Sequence, residues 1–106
     1  MNSLRPKVSI IIVNYNGMAY LDACLSSVLN QGYQDYEVIL VNNASTDGSL
    51  EYVRQKYPGL IFVENKENSG YAGGINAGLV IANGVPYMLE QDHGGPSGDD
   101  PYSTYP

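Results

Sequence analysis

Four short apolar runs are spaced along the chain, at residues 8–13, 37–41, 60–63 and 85–89. The first three are rich in β-branched residues, and apolar and polar positions do not alternate cleanly within them. Continuous apolar runs of this length are typical of strands that are covered on both faces, as in a parallel sheet. The pattern therefore predicts three buried strands and a fourth strand at residues 85–89, with Pro86 near its start, where a missing donor is tolerated.

Segments with helical periodicity separate these strands. Apolar residues recur there three or four positions apart and would share one face of a helix: Leu21, Leu25, Val28 and Leu29; Leu50, Val53 and Tyr57; Ile75, Leu79 and Ala82. Ser45 to Asp47 offers capping chemistry ahead of the second helix, and Pro58-Gly59 ends it. The resulting order β-α-β-α-β-α-β predicts right-handed crossovers and a doubly wound, mainly parallel, Rossmann-like α/β sheet.

Length, charge and cysteine content narrow the class of protein. The 106 residues suffice for one compact domain, and a formal net charge of −6 argues against a nucleic-acid partner, because phosphate binding depends on Lys and Arg. The single cysteine, Cys24, cannot form an internal disulfide, which fits a reducing, cytoplasmic compartment. The apolar run that ends at Val13 is too short to cross a membrane.

Polar clusters follow each predicted strand, at residues 14–17, 42–45, 65–70 and 90–92. Ligands of doubly wound sheets bind beyond the carboxyl ends of the strands, so we expect the site there. From Gly94 onward the chain has no aliphatic residue. We therefore expect one α/β domain over residues 1–93 and a disordered tail over 94–106, because the tail cannot bury enough apolar area to offset its ordering entropy.

The segment from Asn42 to Ser49 (NNASTDGS) follows a buried strand and opens a helix. Its short polar side chains and the free amides of the helix could form a cradle for a nucleoside. The same residues are also ordinary β-to-α loop chemistry, in which Asp47, Thr46 or Ser45 merely caps the helix. The pattern alone leaves both interpretations open.

The segment from Asn68 to Gly78 (NSGYAGGINAG) places paired glycines at a helix start. Such glycines cost about 1 kcal/mol each relative to Ala in a helix interior, so they indicate a close approach of the backbone to another group. That group is either a ligand diphosphate or a neighbouring helix or strand. A P-loop is excluded, because Leu79-Val80 stands where Lys-Ser/Thr is required. The first strand likewise ends without a dinucleotide fingerprint.

Two carboxylates, Glu90 and Asp92, stand two residues apart at the end of the fourth strand. Side chains at that spacing share one face of a strand, and oxygen ligands favour Mg²⁺ or Mn²⁺ with phosphate oxygens completing the shell. His93 is a further candidate ligand. Acidic pairs are also common in solvated loops, which is the alternative interpretation.

In this order, the segments resemble the amino-terminal, nucleotide-sugar-binding half of family-2 glycosyltransferases with the GT-A fold. Val8 to Asn16 is similar to the family's opening strand and loop, Asn43 to Ser49 to the loop after its second strand, and Asn68 to Gly78 to its glycine-rich segment. The resemblance covers roughly residues 7–93 and rests on three linked motifs.

The resemblance implies a UDP- or dTDP-linked sugar donor, a sugar or glycan acceptor and a divalent cation, Mg²⁺ or Mn²⁺. It implies nucleotide-binding roles for Asn14, Asn16, Asn42, Asn43, Ser45, Asp47, Asn68, Gly70, Gly73, Gly74, Asn76 and Glu90. Asp92 would ligate the metal, and Glu90 would face the ribose or reach the metal through water. It further implies work on cell-envelope polysaccharide, in the cytoplasm or at the cytoplasmic face of the membrane.

The chain departs from the family pattern in three places. Asn42 replaces an Asp that usually accepts a hydrogen bond from the base, although its amide oxygen can still accept. Leu89-Glu90-Gln91-Asp92 replaces Asp-x-Asp and leans towards the rhamnosyltransferase-like subset. The general base and the acceptor-binding half of the family have no counterpart, so the chain resembles a truncated domain that we expect to be inactive alone.

Two other functions compete with a glycosyltransferase donor domain. One is a module that binds a nucleotide or nucleotide sugar without turnover. The other is a plain α/β interaction domain whose loops are only well-capped turns. Metal-dependent nucleotide binding separates the first two functions from the third, and turnover separates the first from the second.

Overall fold

The computed structural model describes residues 6–32 and 34–89. Its elements follow the predicted order: β1 (Val8–Asn14), α1 (Met18–Leu29), β2 (Tyr36–Asn43), α2 (Ser49–Lys56), β3 (Ile61–Asn65), α3 (Gly70–Ile81) and β4 (Val85–Leu89). The predicted domain boundary at residue 93 and the predicted tail over 94–106 lie outside the described residues.

The four strands form one parallel sheet in the order β3-β2-β1-β4. The chain runs outward from β1 through β2 to β3 and then crosses back to place β4 on the other side of β1. This reversal is the switch point at which doubly wound sheets bind their ligands. The register pairs Asn14 with Asn42 and Asn43 with Asn65, so that the polar strand ends share one edge.

Helices cover both faces of the sheet, which explains why the strands lack alternation. Ile10 and Ile12 of β1 pack towards α1 and α2, in a cluster that also contains Leu21 and Val53. Ile11 and Val13 pack on the opposite face, in the cluster of Ile75 from α3. Successive strand residues point to opposite faces, so a strand between two layers must be apolar at every position.

Two glycines of α3 bring this helix against β1. A Cβ atom on Gly74 would lie 2.6 Å from Val13 Cγ1, and one on Gly78 would lie 2.6 Å from Ile11 Cγ2. Both distances are shorter than real carbon contacts, so the helix approaches the strand at a distance that only glycine permits. Packing against a neighbouring strand, one of the two alternatives for this segment, accounts for both residues.

The outer side of β4 is poorly covered. Val85 and Tyr87 are 69% and 57% exposed. Two depressions flank the strand, one of about 510 Å³ against α1 and one of about 670 Å³ against α3. Within the part of the chain that the structure describes, no helix is both long and apolar enough to cross a membrane.

Candidate functional site

Asparagine side chains stand at the carboxyl ends of three neighbouring strands. Asn14 ends β1, Asn42 and Asn43 end β2, and Asn65 ends β3. Asn14 and Asn43 are fully buried, and Asn42 is only 4% exposed. Buried amides require hydrogen-bond partners, so these side chains are expected to organise the loops around them.

Asn14 joins β1 to β2 and to the start of α2. Its Nδ2 lies 3.1 Å from Asn42 Oδ1, 3.1 Å from Ser45 Oγ and 2.9 Å from Ser49 Oγ. Its Oδ1 accepts the N–H of Gly17 at 3.0 Å. The Asn42 oxygen, which the resemblance assigns to the base, thus accepts a hydrogen bond from Asn14 in this structure.

The loops after β1 and β2 hold each other through reciprocal hydrogen bonds. The Asn16 N–H donates to Ser45 Oγ at 2.8 Å, and the Thr46 N–H donates to Asn16 Oδ1 at 2.7 Å. Asn16 and Ala44 adopt positive φ angles of 52° and 64°. Asn tolerates this left-handed conformation, whereas for Ala it is uncommon and marks a tightly constrained loop.

Asp47 links the starts of two helices. Its Oδ1 accepts the N–H of Ser49 at 2.9 Å, and its Oδ2 accepts the N–H of Met18 at 3.1 Å. Partial burial opposes ionisation of Asp47, but the hydrogen bonds from Ser49 and Met18 outweigh it and lower the pKa of this carboxyl below its ordinary value. Asp47 therefore satisfies the first N–H group of α1 and of α2, but the N-cap residue of α2 is Gly48 and not a residue of the predicted segment 45–47.

Asn43 holds the start of the glycine-rich segment 68–78 through hydrogen bonds, as Asp47 holds the starts of α1 and α2. Its Nδ2 donates to the Gly70 carbonyl at 2.9 Å, and its Oδ1 accepts from Asn65 Nδ2 at 2.8 Å and from Ser69 Oγ at 3.2 Å. Asn68 Oδ1 accepts the Gly70 N–H at 2.9 Å, and Gly70 has a φ angle of 78°. The start of α3 is thereby fixed against the end of β2.

We expect Asn43→Ala to lower the free energy of unfolding by about 1–3 kcal/mol, because the Gly70 carbonyl and the Asn65 amide lose their partner. Urea denaturation of the chain measures the change. Asn30→Ala is the control, since Asn30 is exposed at the end of α1 and its substitution should cost less than about 0.5 kcal/mol. Equal stability of the two variants would contradict the role of Asn43.

The predicted nucleotide-binding residues fall into two layers. Asn14, Asn42, Asn43, Gly70 and Gly74 are buried, and Ser45 and Gly73 are half-buried. The exposed layer consists of Asn16, Asp47, Asn68 and Asn76. The starts of all three helices meet the same edge, where the helix dipoles favour anionic ligands. The first N–H groups of α1 and α2 already donate to Asp47, and that of α3 donates to Asn68.

Three residues of this edge were not among the predicted site residues. They are Ser49, Asn65 and Ser69, all of which hydrogen-bond to Asn14 or Asn43. Asn65 carried a usable signal, because it closes an apolar run as Asn14 does. Ser49 and Ser69 lie within the segments 42–49 and 68–78 that the sequence singled out, but nothing in the pattern indicated their partners, which are distant in sequence.

The predicted metal ligands, Glu90 and Asp92, and the candidate His93 lie outside the described residues. Over residues 6–32 and 34–89 there is no group of three His, Cys, Asp or Glu side chains that could hold a metal ion. The last described residue, Leu89, pairs with Ile12 in β1 and lines the depression between β4 and α3 together with Asn76. In the sequence Glu90 follows Leu89 and Asp92 comes two residues later, and both carry the oxygen donors that suit Mg²⁺ or Mn²⁺.

Comparison with known proteins agrees with this geometry. The sequence model of the family Glycosyl transferase family 2 matches residues 9–93. The chain belongs to this family.

Relatives in glycosyltransferase family 2 extend well beyond the shared region. A putative glycosyltransferase of Bacillus subtilis (strain 168), EpsE, is 39% identical over 104 residues, which are 94% of this chain and 35% of the relative. An uncharacterized glycosyltransferase of Haemophilus influenzae is 34% identical over 90 residues, or 82% of this chain and 28% of the relative. The chain thus spans about a third or less of these relatives.

Solved structures share the fold. S. aureus TarS 1-349 in complex with UDP matches with a TM-score of 0.72 and 28% identity, over 78% of this chain and 26% of that one. The mannosyltransferase PcManGT from Pyrobaculum calidifontis, in complex with GDP-Man and Mn²⁺, matches with a TM-score of 0.66 and 33% identity, over 76% of this chain and 25% of that one. The Rossmann-like, GT-A type of sheet predicted from the sequence is confirmed.

Proposed function

We propose that this chain is the donor-binding part of a glycosyltransferase, which in the complete enzyme transfers a sugar from a nucleoside diphosphate to an acceptor hydroxyl. The observation that carries the proposal is the convergence of three polar strand ends and three helix starts on one edge of the sheet. The family match and the nucleotides in the two structural neighbours support it.

The two layers of the site have different tasks in this proposal. The buried asparagines hold the loops in place, and the exposed Asn16, Asp47, Asn68 and Asn76 contact the nucleotide. The start of α3, where Gly73 leaves room for the Ser69 side chain, meets the diphosphate with the positive end of the helix dipole. The nucleotide is a uridine or deoxythymidine diphosphate, and the sequence Leu89 to Asp92 favours a deoxyhexose such as rhamnose as the sugar.

Glu90 and Asp92 hold the divalent cation in this proposal, and Glu90 also faces the ribose. The neighbour PcManGT is shown with Mn²⁺ as well as a nucleotide sugar, which supports a divalent cation in this fold. When bound, such a cation would neutralise the diphosphate as it leaves. The chain's own contribution is to orient the leaving group through its backbone amides and polar side chains.

The acceptor, the general base and the site of action belong to the complete enzyme. We assign no catalytic base in this chain and expect no sugar transfer by the chain alone. One relative, a teichoic acid poly(glycerol phosphate) polymerase of Staphylococcus epidermidis, is 33% identical over 93% of this chain. It supports a role in cell-envelope polysaccharide synthesis. In our proposal this synthesis takes place in the cytoplasm or at the cytoplasmic face of the membrane.

We expect the chain to bind UDP or dTDP at least about tenfold more tightly with Mn²⁺ than with EDTA. Without a cation the diphosphate meets two carboxylates, and like charges about 4 Å apart repel by about 4 kcal/mol at an effective dielectric near 20. Isothermal titration calorimetry under both conditions measures the difference, with uridine as the control ligand that lacks phosphates. Equal affinity of UDP in both conditions would remove the metal from the proposal.

A further inference from the structure

A second polar cluster lies at the opposite, amino-terminal end of the sheet. Ser9 of β1 pairs in register with Glu37 of β2, and both face the turn at Asn83 and Gly84 that connects α3 to β4. Ser9 is fully buried and interrupts the apolar run of β1. A buried hydroxyl beside a carboxylate requires a reason other than apolar packing.

The two side chains hydrogen-bond to the turn at several points. Ser9 Oγ donates to Glu37 Oε2 at 2.5 Å and accepts the N–H groups of Gly84 at 2.8 Å and of Asn83 at 3.2 Å. Glu37 Oε2 also accepts the Asn83 N–H at 2.8 Å, and Oε1 accepts Asn83 Nδ2 at 3.2 Å. Both carboxylate oxygens therefore act as acceptors towards the turn.

The turn also packs tightly on the backbone that precedes β1. A Cβ atom on Gly84 would lie 2.7 Å from Pro6 O and 2.8 Å from Val8 N. The Val85 N–H donates to the Lys7 carbonyl at 2.8 Å. The first residue of β4 is thus placed against the start of β1 with little freedom.

Burial contributes little to holding β4, because Val85, Tyr87 and Met88 are all exposed. Hydrogen bonds to charged groups are stronger than those between neutral groups. The Glu37 contacts therefore contribute much of the free energy that holds the exposed strand β4 in place. Burial opposes ionisation of Glu37, but the hydrogen bonds from Ser9 and Asn83 outweigh it and hold the pKa of its carboxyl below the ordinary value. The acceptor form of the side chain is therefore the one present at neutral pH.

We propose that Ser9 and Glu37 are positioning residues that hold the amino end of β4 in register with β1 and so place its carboxyl end at the ligand edge. Glu90 follows Leu89 in the sequence and Asp92 comes two residues later. The position of β4 therefore determines where these two carboxylates can lie. The claim that the position of β4 affects metal binding rests on the proposed function. The claim that Ser9 and Glu37 hold β4 in place does not depend on it.

Glu37→Gln tests whether the two side chains hold β4 in place, because an amide keeps the shape of the side chain but only one acceptor oxygen. Amide hydrogen exchange followed by NMR should become about five- to tenfold faster at Asn83, because its N–H then has only neutral oxygen acceptors and a charged acceptor makes a hydrogen bond about twice as strong. Amides of Ile11 and Ile39 in the buried strands should keep their rates. Ser9→Ala should accelerate Gly84 more than Asn83, since Asn83 retains Glu37 as a partner.

Asp35→Asn is the matched control. Asp35 is an exposed carboxylate just before β2, at the same end of the sheet, and its backbone carbonyl, which accepts from Lys7 and Val8, is unchanged by the substitution. The control should leave every exchange rate as in the parent chain. Unchanged exchange at Asn83 in Glu37→Gln, or acceleration spread evenly over the whole sheet, would overturn the proposal.

The effect of the position of β4 on metal binding is tested by the affinity for UDP in the presence of Mn²⁺. Glu37→Gln should weaken the affinity for UDP about tenfold, because substitutions that disturb the orientation of metal ligands have effects of this size. Asp35→Asn should leave the affinity unchanged. Faster exchange with unchanged affinity would overturn the positioning role. If the parent chain bound no UDP, the proposed function would fail, and hydrogen exchange alone would decide whether Ser9 and Glu37 hold β4.

Discussion

Alanine at both Gly74 and Gly78 is expected to lower the free energy of unfolding by about 2–4 kcal/mol. Each new Cβ atom would lie 2.6 Å from a methyl carbon of Val13 or Ile11, and both of these side chains are buried. Overpacking costs about 1–3 kcal/mol per site, and contacts this short belong to the upper part of that range, about 2–3 kcal/mol. The better helix propensity of Ala offsets about 1 kcal/mol per site. Urea denaturation monitored by circular dichroism measures the net change.

Gly59→Ala provides the control for this prediction. Gly59 has open space around the position of a Cβ atom, so Ala there should change stability by less than about 0.5 kcal/mol. A double variant as stable as the parent chain would show that α3 can move away from β1 at no cost. The close approach would then not be the reason for these glycines.

Asp92→Asn is expected to weaken Mn²⁺ binding in the presence of UDP by about a hundredfold. Replacing a residue that only orients a metal ligand typically lowers metal affinity about 10–100-fold. The loss of a ligand itself should therefore reach the upper end of that range. Titration calorimetry with Mn²⁺ at saturating UDP measures the effect. UDP affinity in EDTA should rise rather than fall, because the substitution removes one of the two negative charges that repel the diphosphate and no contact to the base.

Asp99→Asn and Asp100→Asn are the controls, since both make the same chemical change in a segment without aliphatic residues. They should leave Mn²⁺ binding unaltered. If they weakened it as much as Asp92→Asn, the assignment of the metal to the end of β4 would be wrong. The result separates the acidic pair after the fourth strand from the general negative charge of the chain.

The asparagines at the strand ends illustrate how sequence and structure contribute differently to the site. Their position after apolar runs predicted that Asn14, Asn42 and Asn43 share one edge, and the register of β1 and β2 confirms it. Which atoms they bind was not predictable, because the partners of Asn14 lie 28–35 residues away. The structure shows that these residues hold the loops at this edge in place, while their contact with a nucleotide stays a prediction.

The order of elements, the parallel sheet and the edge that carries the polar residues were determined by the sequence itself. Burial on two faces demands continuous apolar runs, and short connections through helices allow few topologies, so local pattern suffices for both. The packing of Gly74 and Gly78 on β1 and the contacts of Ser9 and Glu37 with Asn83 were decided only by the tertiary structure. These interactions join segments far apart in the chain, and their geometry depends on how closely α3 and β4 pack against β1, a distance that no local pattern encodes.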